Sequence, residues 1–174
     1  MLQWGTPLDL QTYQMWNGCF QQLPQLVFQA PGLTILPMAG RGSRFAVEGY
    51  TIPKPFLPIR GSPMVQAALE CLPITEEVRV ITLDDHPDVS HYLPNAKIYK
   101  LSEVTNGQAT TCMLALTDVS DETPITITAC DNGALYNATK LQELMEDPSI
   151  DVIVWSFRNH PSSKLYPQMY AWLD

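Results

Sequence analysis

An apolar run of strand length, Leu33-Thr34-Ile35-Leu36, stops at Pro37 and opens into a loop that holds Gly40, Arg41, Gly42, Ser43 and Arg44. Glycines let backbone N–H groups approach an anion closely and reach positive φ without steric penalty, while arginine brings a permanent cation with a planar donor fork. The sequence therefore predicts a strand that feeds a cradle of phosphate size. Further along, Lys54 stands between Pro53 and Pro55. Prolines on both sides restrict the backbone, so the ammonium is presented at less ordering cost than on a free loop.

The charge pattern agrees. Arg41, Arg44, Lys54 and Arg60, four of the ten Lys and Arg residues, fall in one window whose only acid is Glu48, although the chain carries a formal net charge of -8. A local cationic patch on an acidic chain points to a small anionic ligand and away from nucleic acid, which needs a broad basic face. A basic, solvated surface loop has the same composition, and short glycine motifs match by chance. No apolar run approaches the roughly eighteen residues that span a bilayer, and no basic segment with an apolar core opens the chain, so a cytoplasmic protein without membrane partners is expected. Cys19, Cys71, Cys112 and Cys130 form no CxxC pair and no Cys/His cluster. They read as reduced thiols, mostly buried.

Along the chain, Thr6 suits an N-cap and Pro7 the first helical position, and Leu10, Tyr13, Phe20 and Leu23, with Met15, Trp16 and Cys19, recur near helical spacing until Pro24. This predicts a helix packed by an aromatic stripe, then a linker over 25–32. Residues 63–72 read as a helix, 77–83 as a second strand and 96–101 as a short third. Between the last two lies Asp84-Asp85-His86-Pro87-Asp88, a solvated turn in preference to a metal site. His91 reads as a surface residue.

Thr105-Asn106-Gly107-Gln108-Ala109 then leads into a helix, where free N–H groups and the donors and acceptor of Gln108 suit a base edge; a capped helix without ligand fits equally. Residues 123–130 alternate β-branched side chains and end at Asp131-Asn132-Gly133. An acid at a strand's carboxyl end is well placed for a cation, and magnesium prefers a carboxylate plus water and phosphate oxygens. A turn aspartate bonding its own backbone is the alternative. Asn137 to Asp147 reads as a helix capped by Asn137, and residues 150–157 as an apolar strand covered on both faces. Residues 170–174 begin like one more. Five or six strands interleaved with helices predict an α/β fold with a mainly parallel sheet.

Ala39-Gly40-Arg41-Gly42-Ser43-Arg44-Phe45, followed by Pro53-Lys54-Pro55, Leu57-Pro58-Ile59 and Gly61-Ser62-Pro63-Met64, resembles the signature of the sugar-phosphate nucleotidyltransferases, the nucleotide-sugar pyrophosphorylases. The resemblance implies a Rossmann-like three-layer sandwich of nucleotidyltransferase type. It implies an enzyme whose partners are a nucleoside triphosphate and a sugar 1-phosphate and whose cofactor is Mg2+. Arg44 and Lys54 would be catalytic; Ala39, Gly40, Arg41, Gly42 and Ser43 would bind the nucleotide's phosphates. Gly107 and Gln108 resemble the base-binding segment, and Asp131 matches the metal-binding aspartate.

Other implications concern extent. The family's catalytic domain continues past the last residue here with sugar-binding residues and a second metal-binding aspartate, so the domain is expected to be C-terminally incomplete. Residues 31–174 would be its N-terminal part, and residues 1–30 a helix and linker. Gly5-Thr6-Pro7-Leu8-Asp9-Leu10 also resembles the segment after the family's catalytic core, which would make it the tail of a preceding domain. A cytidylyltransferase acting on phosphocholine or another phosphorylated alcohol, or a non-catalytic nucleotide-binding module, would use the same fold. A homo-oligomer stays open.

Overall fold

Leu33, Thr34, Ile35 and Leu36 are four consecutive buried residues, the pattern of a strand covered on both faces. A computed structural model describes residues 6–21, 28–59, 61–158, 160, 163 and 166–173, with backbone alone for residues 9, 19–21 and 169. In it the run forms β1 (Leu33–Pro37). The chain divides into two compact units, residues 26–134 and a second made of residues 1–25 and 135–174.

The first unit is built around β1. After it come α2 (Ser43–Val47), the antiparallel pair β2 (Pro58–Ile59) and β3 (Ser62–Pro63), α3 (Met64–Leu69), β4 (Glu77–Leu83), β5 (Lys97–Leu101), α4 (Gln108–Leu114) and β6 (Ile125–Ile127). Four strands form one sheet in the order β5-β4-β1-β6. All three pairings are parallel, with Leu33 opposite Glu77 on one side and Ile125 on the other. Side chains alternate between faces. Leu36 and Val80 pack with Phe56, Val65 and Val89 on the face covered by α3, whereas Leu33, Ile35 and Ile81 pack with Cys112 and Ala115 on the face covered by α4. Helices on both sides of a mainly parallel sheet make the three layers that the sequence predicts.

Strand lengths differ from expectation only toward the later part of the chain. β4 occupies the expected residues, while the expected strand over 123–130 shortens to three residues, with a ladder to β1 alone. The expected linker is partly anchored, since Gln29 bridges Ile74 and the Ala30 amide donates to the Ile74 carbonyl at 2.8 Å.

In the second unit, α1 (Pro7–Gln21) forms where Pro7 predicts its start. Its aromatic face is less covered than expected: Leu8, Leu10, Tyr13 and Trp16 are all exposed, with Trp16 edge-on to His160 at 5.3 Å. Spacing sets which residues share a face, and burial of that face needs a surface to meet. α5 (Ala138–Glu146) is capped as predicted, the Asn137 side chain accepting from the Lys140 amide at 3.0 Å. Residues 151–157 form no strand, and Val152, Val154, Trp155 and Phe157 are exposed. Residues 170–173 form none either, following a short 3-10 turn, Pro167–Met169. An apolar run measures a tendency to be buried; strand geometry also needs a neighbour to complete the ladder. Expectations resting on residues 1–5, 22–27, 60 and 174, or on the Cys19 and Phe20 side chains, lie outside the described residues. Among those described, no helix is long and apolar enough to cross a membrane.

One ion cluster ties α4 to the sheet. Arg79 of β4 is buried and donates to Glu77 at 2.5 Å, to the Ala115 carbonyl at 2.7 Å and to Asp118, which also accepts from Lys97 at 2.8 Å. Burial works against the guanidinium charge, but the hydrogen bonds to Asp118 and Glu77 outweigh it and raise its pKa. The same contacts, from Lys97 and Arg79, pull the Asp118 carboxyl down to about 2. A depressed carboxylate contributes stability that is fully present above its ordinary value near 3.8 and is lost as pH falls through about 2. Asp118→Asn is therefore expected to lower the urea midpoint at neutral pH and to flatten its fall in this acid range; a parallel fall in both proteins would contradict this.

Candidate functional site

β1 lies between β4 and β6: the chain passes from β1 to β4 and β5 on one side and then crosses back to β6 on the other, so the strand order reverses beside β1. A parallel sheet wound this way opens a crevice at the carboxyl ends of the strands that flank the reversal. The loop after β1 starts in register, because the Met38 amide donates to the Ile81 carbonyl at 2.8 Å, and Ala39 is buried. Gly40 and Arg41 then emerge into solvent. Gly42 takes a left-handed conformation, φ 60° and ψ 35°, and hands the chain to α2, where Ser43 begins the helix and Arg44 is exposed.

Lys54 is positioned by the turn it opens. The 3-10 turn Lys54–Phe56 begins after Pro53, and Phe56 is buried in the α3-side core, which pins the turn at its far end. Gly42 allows the close approach: a Cβ there would lie 3.0 Å from the Lys54 Cβ. The Lys54 ammonium is 6.0 Å above the Phe45 ring and forms an ion pair with Asp131. Asp131 is held from the other side, since the Thr128 amide donates to the Ile35 carbonyl at 3.1 Å and Cys130 is buried in the same core as Phe56. Burial, with Asp131 beside it, pushes the Cys130 thiol up to about 11. Cys71, Cys112 and Cys130 are all free thiols.

A second pair is not evident from the sequence. Arg41 forms an ion pair with Asp85, on the loop after β4. Its hydrogen bond lowers the Asp85 carboxyl pKa. The signal available was position: an acid just past the end of a strand next to β1. The other acids of that loop remain a turn, with Asp88 accepting from the Ser90 amide at 3.0 Å. His86 is half-buried, its Nδ1 is 3.1 Å from the Thr82 hydroxyl, and burial lowers its pKa. Among the described residues, no three His, Cys, Asp or Glu side chains gather as ligands.

Gly107 and Gln108 follow the carboxyl end of β5, a strand that lies two positions and so about 10 Å from β1 in the sheet. The Gly107 conformation, φ 150° and ψ 171°, is one that side chains disfavour, and its carbonyl accepts from the Thr105 and Thr111 hydroxyls at 2.9 and 3.1 Å. Gln108 is exposed at the first position of α4. Thus Gly42, Lys54 and Asp131 meet directly, Arg41 extends the cluster to Asp85, and Gly107 with Gln108 follows a strand two positions away. For a metal ion, Asp131 offers one carboxylate with Oδ2 engaged by Lys54. A lone carboxylate fits magnesium where phosphate oxygens and water fill the remaining positions.

Known proteins bear on this arrangement. The sequence profile described as "MobA-like NTP transferase domain" matches residues 34–172. Among solved structures, a nucleotidyl transferase from Methanothermobacter thermautotroptrophicus aligns at TM-score 0.50 and 20% identity, covering 66% of this chain and 56% of its own. A nucleoside-diphosphate-sugar pyrophosphorylase from Vibrio cholerae RC9 aligns at TM-score 0.47 and 22% identity, over 63% of this chain and 52% of its own. The chain thus spans little more than half the length of these structures. No curated protein matches it.

Gly42→Ala is expected to cost about 1–2 kcal/mol in urea unfolding, the penalty of a left-handed residue carrying a Cβ. In the protein that still folds it should also weaken binding of magnesium pyrophosphate, measured by calorimetry, because the new methyl displaces Lys54. Unchanged affinity would separate Gly42 from the placement of Lys54.

Proposed function

The chain belongs to the MobA-like NTP transferase domain family, and from that membership we propose that it transfers a nucleotidyl group from a nucleoside triphosphate to a sugar 1-phosphate. An oxygen of the sugar phosphate attacks the α-phosphorus, the bond from that phosphorus to the bridging oxygen breaks, and pyrophosphate leaves. The observation that carries the reading is the ion pair of Lys54 with Asp131 beside the glycine loop. It supports a shared centre for a cation that holds phosphate and a carboxylate that holds metal. The sugar phosphate as acceptor rests on the resemblance of the Gly/Arg loop and the lysine between prolines.

Positioning and charge neutralisation carry most of the barrier reduction in transfer at phosphorus. Backbone from Ala39 to Ser43, with Arg41, cradles the triphosphate. Arg44 neutralises its β and γ groups and the departing pyrophosphate, while Lys54 holds the α-phosphate and the incoming sugar phosphate. Gly107 and Gln108 hold the base. Asp131 would hold Mg2+, which when bound supplies the positive charge that lets two anions meet. Lys54 and Asp131 then part, each meeting a phosphate-side partner in place of the other. In this reading residues 31–174 are part of a cytoplasmic transferase domain, and residues 1–30 precede it.

Lys54→Ala or Asp131→Asn should reduce pyrophosphate release by about 10²–10³, the usual loss when one preorganised charge is removed. Unfolding midpoints should change little, since the pair sits at the rim of the core. Wild-type turnover in either variant would remove that residue from the mechanism. Gln108→Ala should change the preference among the four triphosphates, and an equal loss with all four would count against its place at the base.

A further inference from the structure

Two cations at or near the loop after β1 contact carboxylates that follow flanking strands: Lys54 one on the loop after β6, Arg41 one on the loop after β4. Asp131 has a part in the proposed reaction, whereas Asp85 has none. Yet the Asp85 loop is well placed, because the Asp84 amide donates to the Leu101 carbonyl at 2.9 Å and so keeps the turn aligned with the sheet edge. A carboxylate offers a guanidinium two oxygens in nearly the geometry of a phosphate's. Seating a phosphate on Arg41 beside Asp85 would bring two like charges together, so each weakens the other's hold on the guanidinium.

We propose that Asp85 is an internal substitute for a phosphate group, holding Arg41 in the free protein and yielding it to the polyphosphate. This rests on reading the loop as a polyphosphate cradle and adds a residue that sets how tightly the anion is held. Side chains of Arg41 and Asp85 are 52% and 54% exposed, so their attraction is screened by water and salt and is readily exchanged. The Lys54–Asp131 pair, at 18% and 33%, is more sheltered. Arg41 also keeps the Asp85 carboxyl ionised well below neutral pH, so the substitute is charged whenever substrate arrives. As pyrophosphate departs, Asp85 recaptures Arg41 and favours release.

The test is calorimetric titration with magnesium pyrophosphate of the wild-type protein, Asp85→Asn, Asp84→Asn, Arg41→Ala and the double variant Arg41→Ala/Asp85→Asn. Asp85→Asn should tighten binding about two- to fivefold, the scale of an exposed ion pair. Asp84→Asn removes the same charge one residue away and should give clearly less. On the Arg41→Ala background the Asp85→Asn gain should fall to the Asp84→Asn level. An equal shift in Asp84→Asn and Asp85→Asn, or weaker binding in Asp85→Asn, overturns the proposal alone. No pyrophosphate binding by the wild-type protein overturns the cradle reading, and this proposal with it.

Discussion

Lys54 and Asp131 are 77 residues apart in the chain, and the sheet is what makes them partners. Lys54 is pinned through Phe56 to the core on one face, and Asp131 through Thr128 to the ladder of β1 and through Cys130 to that same core. β1 stands between the two connections because its neighbours lie on opposite sides. Everything proposed for the site depends on this reversal, which brings two distant turns together as one charged cluster. Gly42 completes it by letting the loop lie against the lysine stem.

The two ends of the sheet use like charges differently. Near the amino ends of β4 and β5, Arg79 is only 5% exposed and has three acceptors. Removing a partner from a charge so buried leaves it uncompensated, so the contacts hold structure in place. At the carboxyl ends, Arg41 is half exposed and bound to one carboxylate. Such a contact adds little stability and can be traded for a ligand. Burial, more than residue type, separates the arginine that ties the sheet to its neighbours from the one in an exposed, screened pair.

Much of the first unit was legible. Leu33-Thr34-Ile35-Leu36 with its stop at Pro37, and the β-branched run over 77–83, identify strands because such side chains suit a packed pleated surface. The glycine loop and the lysine between prolines stood out as a candidate site, and the structure brings Gly42 against Lys54. Less legible were residues 150–157, where Val152, Val154, Trp155 and Phe157 stay exposed, and Asp85, which reads as one acid among several. In both cases the missing information was a partner distant in sequence.

By itself the sequence determined the α/β class, the placement of β1 and β4, and the glycine-rich loop with its neighbouring cations. These follow from local backbone limits and from the period of apolar residues, which are properties of neighbouring positions. Tertiary structure alone decided that Lys54 meets Asp131, that Arg41 meets Asp85, and that the run over 151–157 has no ladder. Such choices depend on which strand lies beside which, and strand order is a sum over contacts between remote segments that no local pattern encodes.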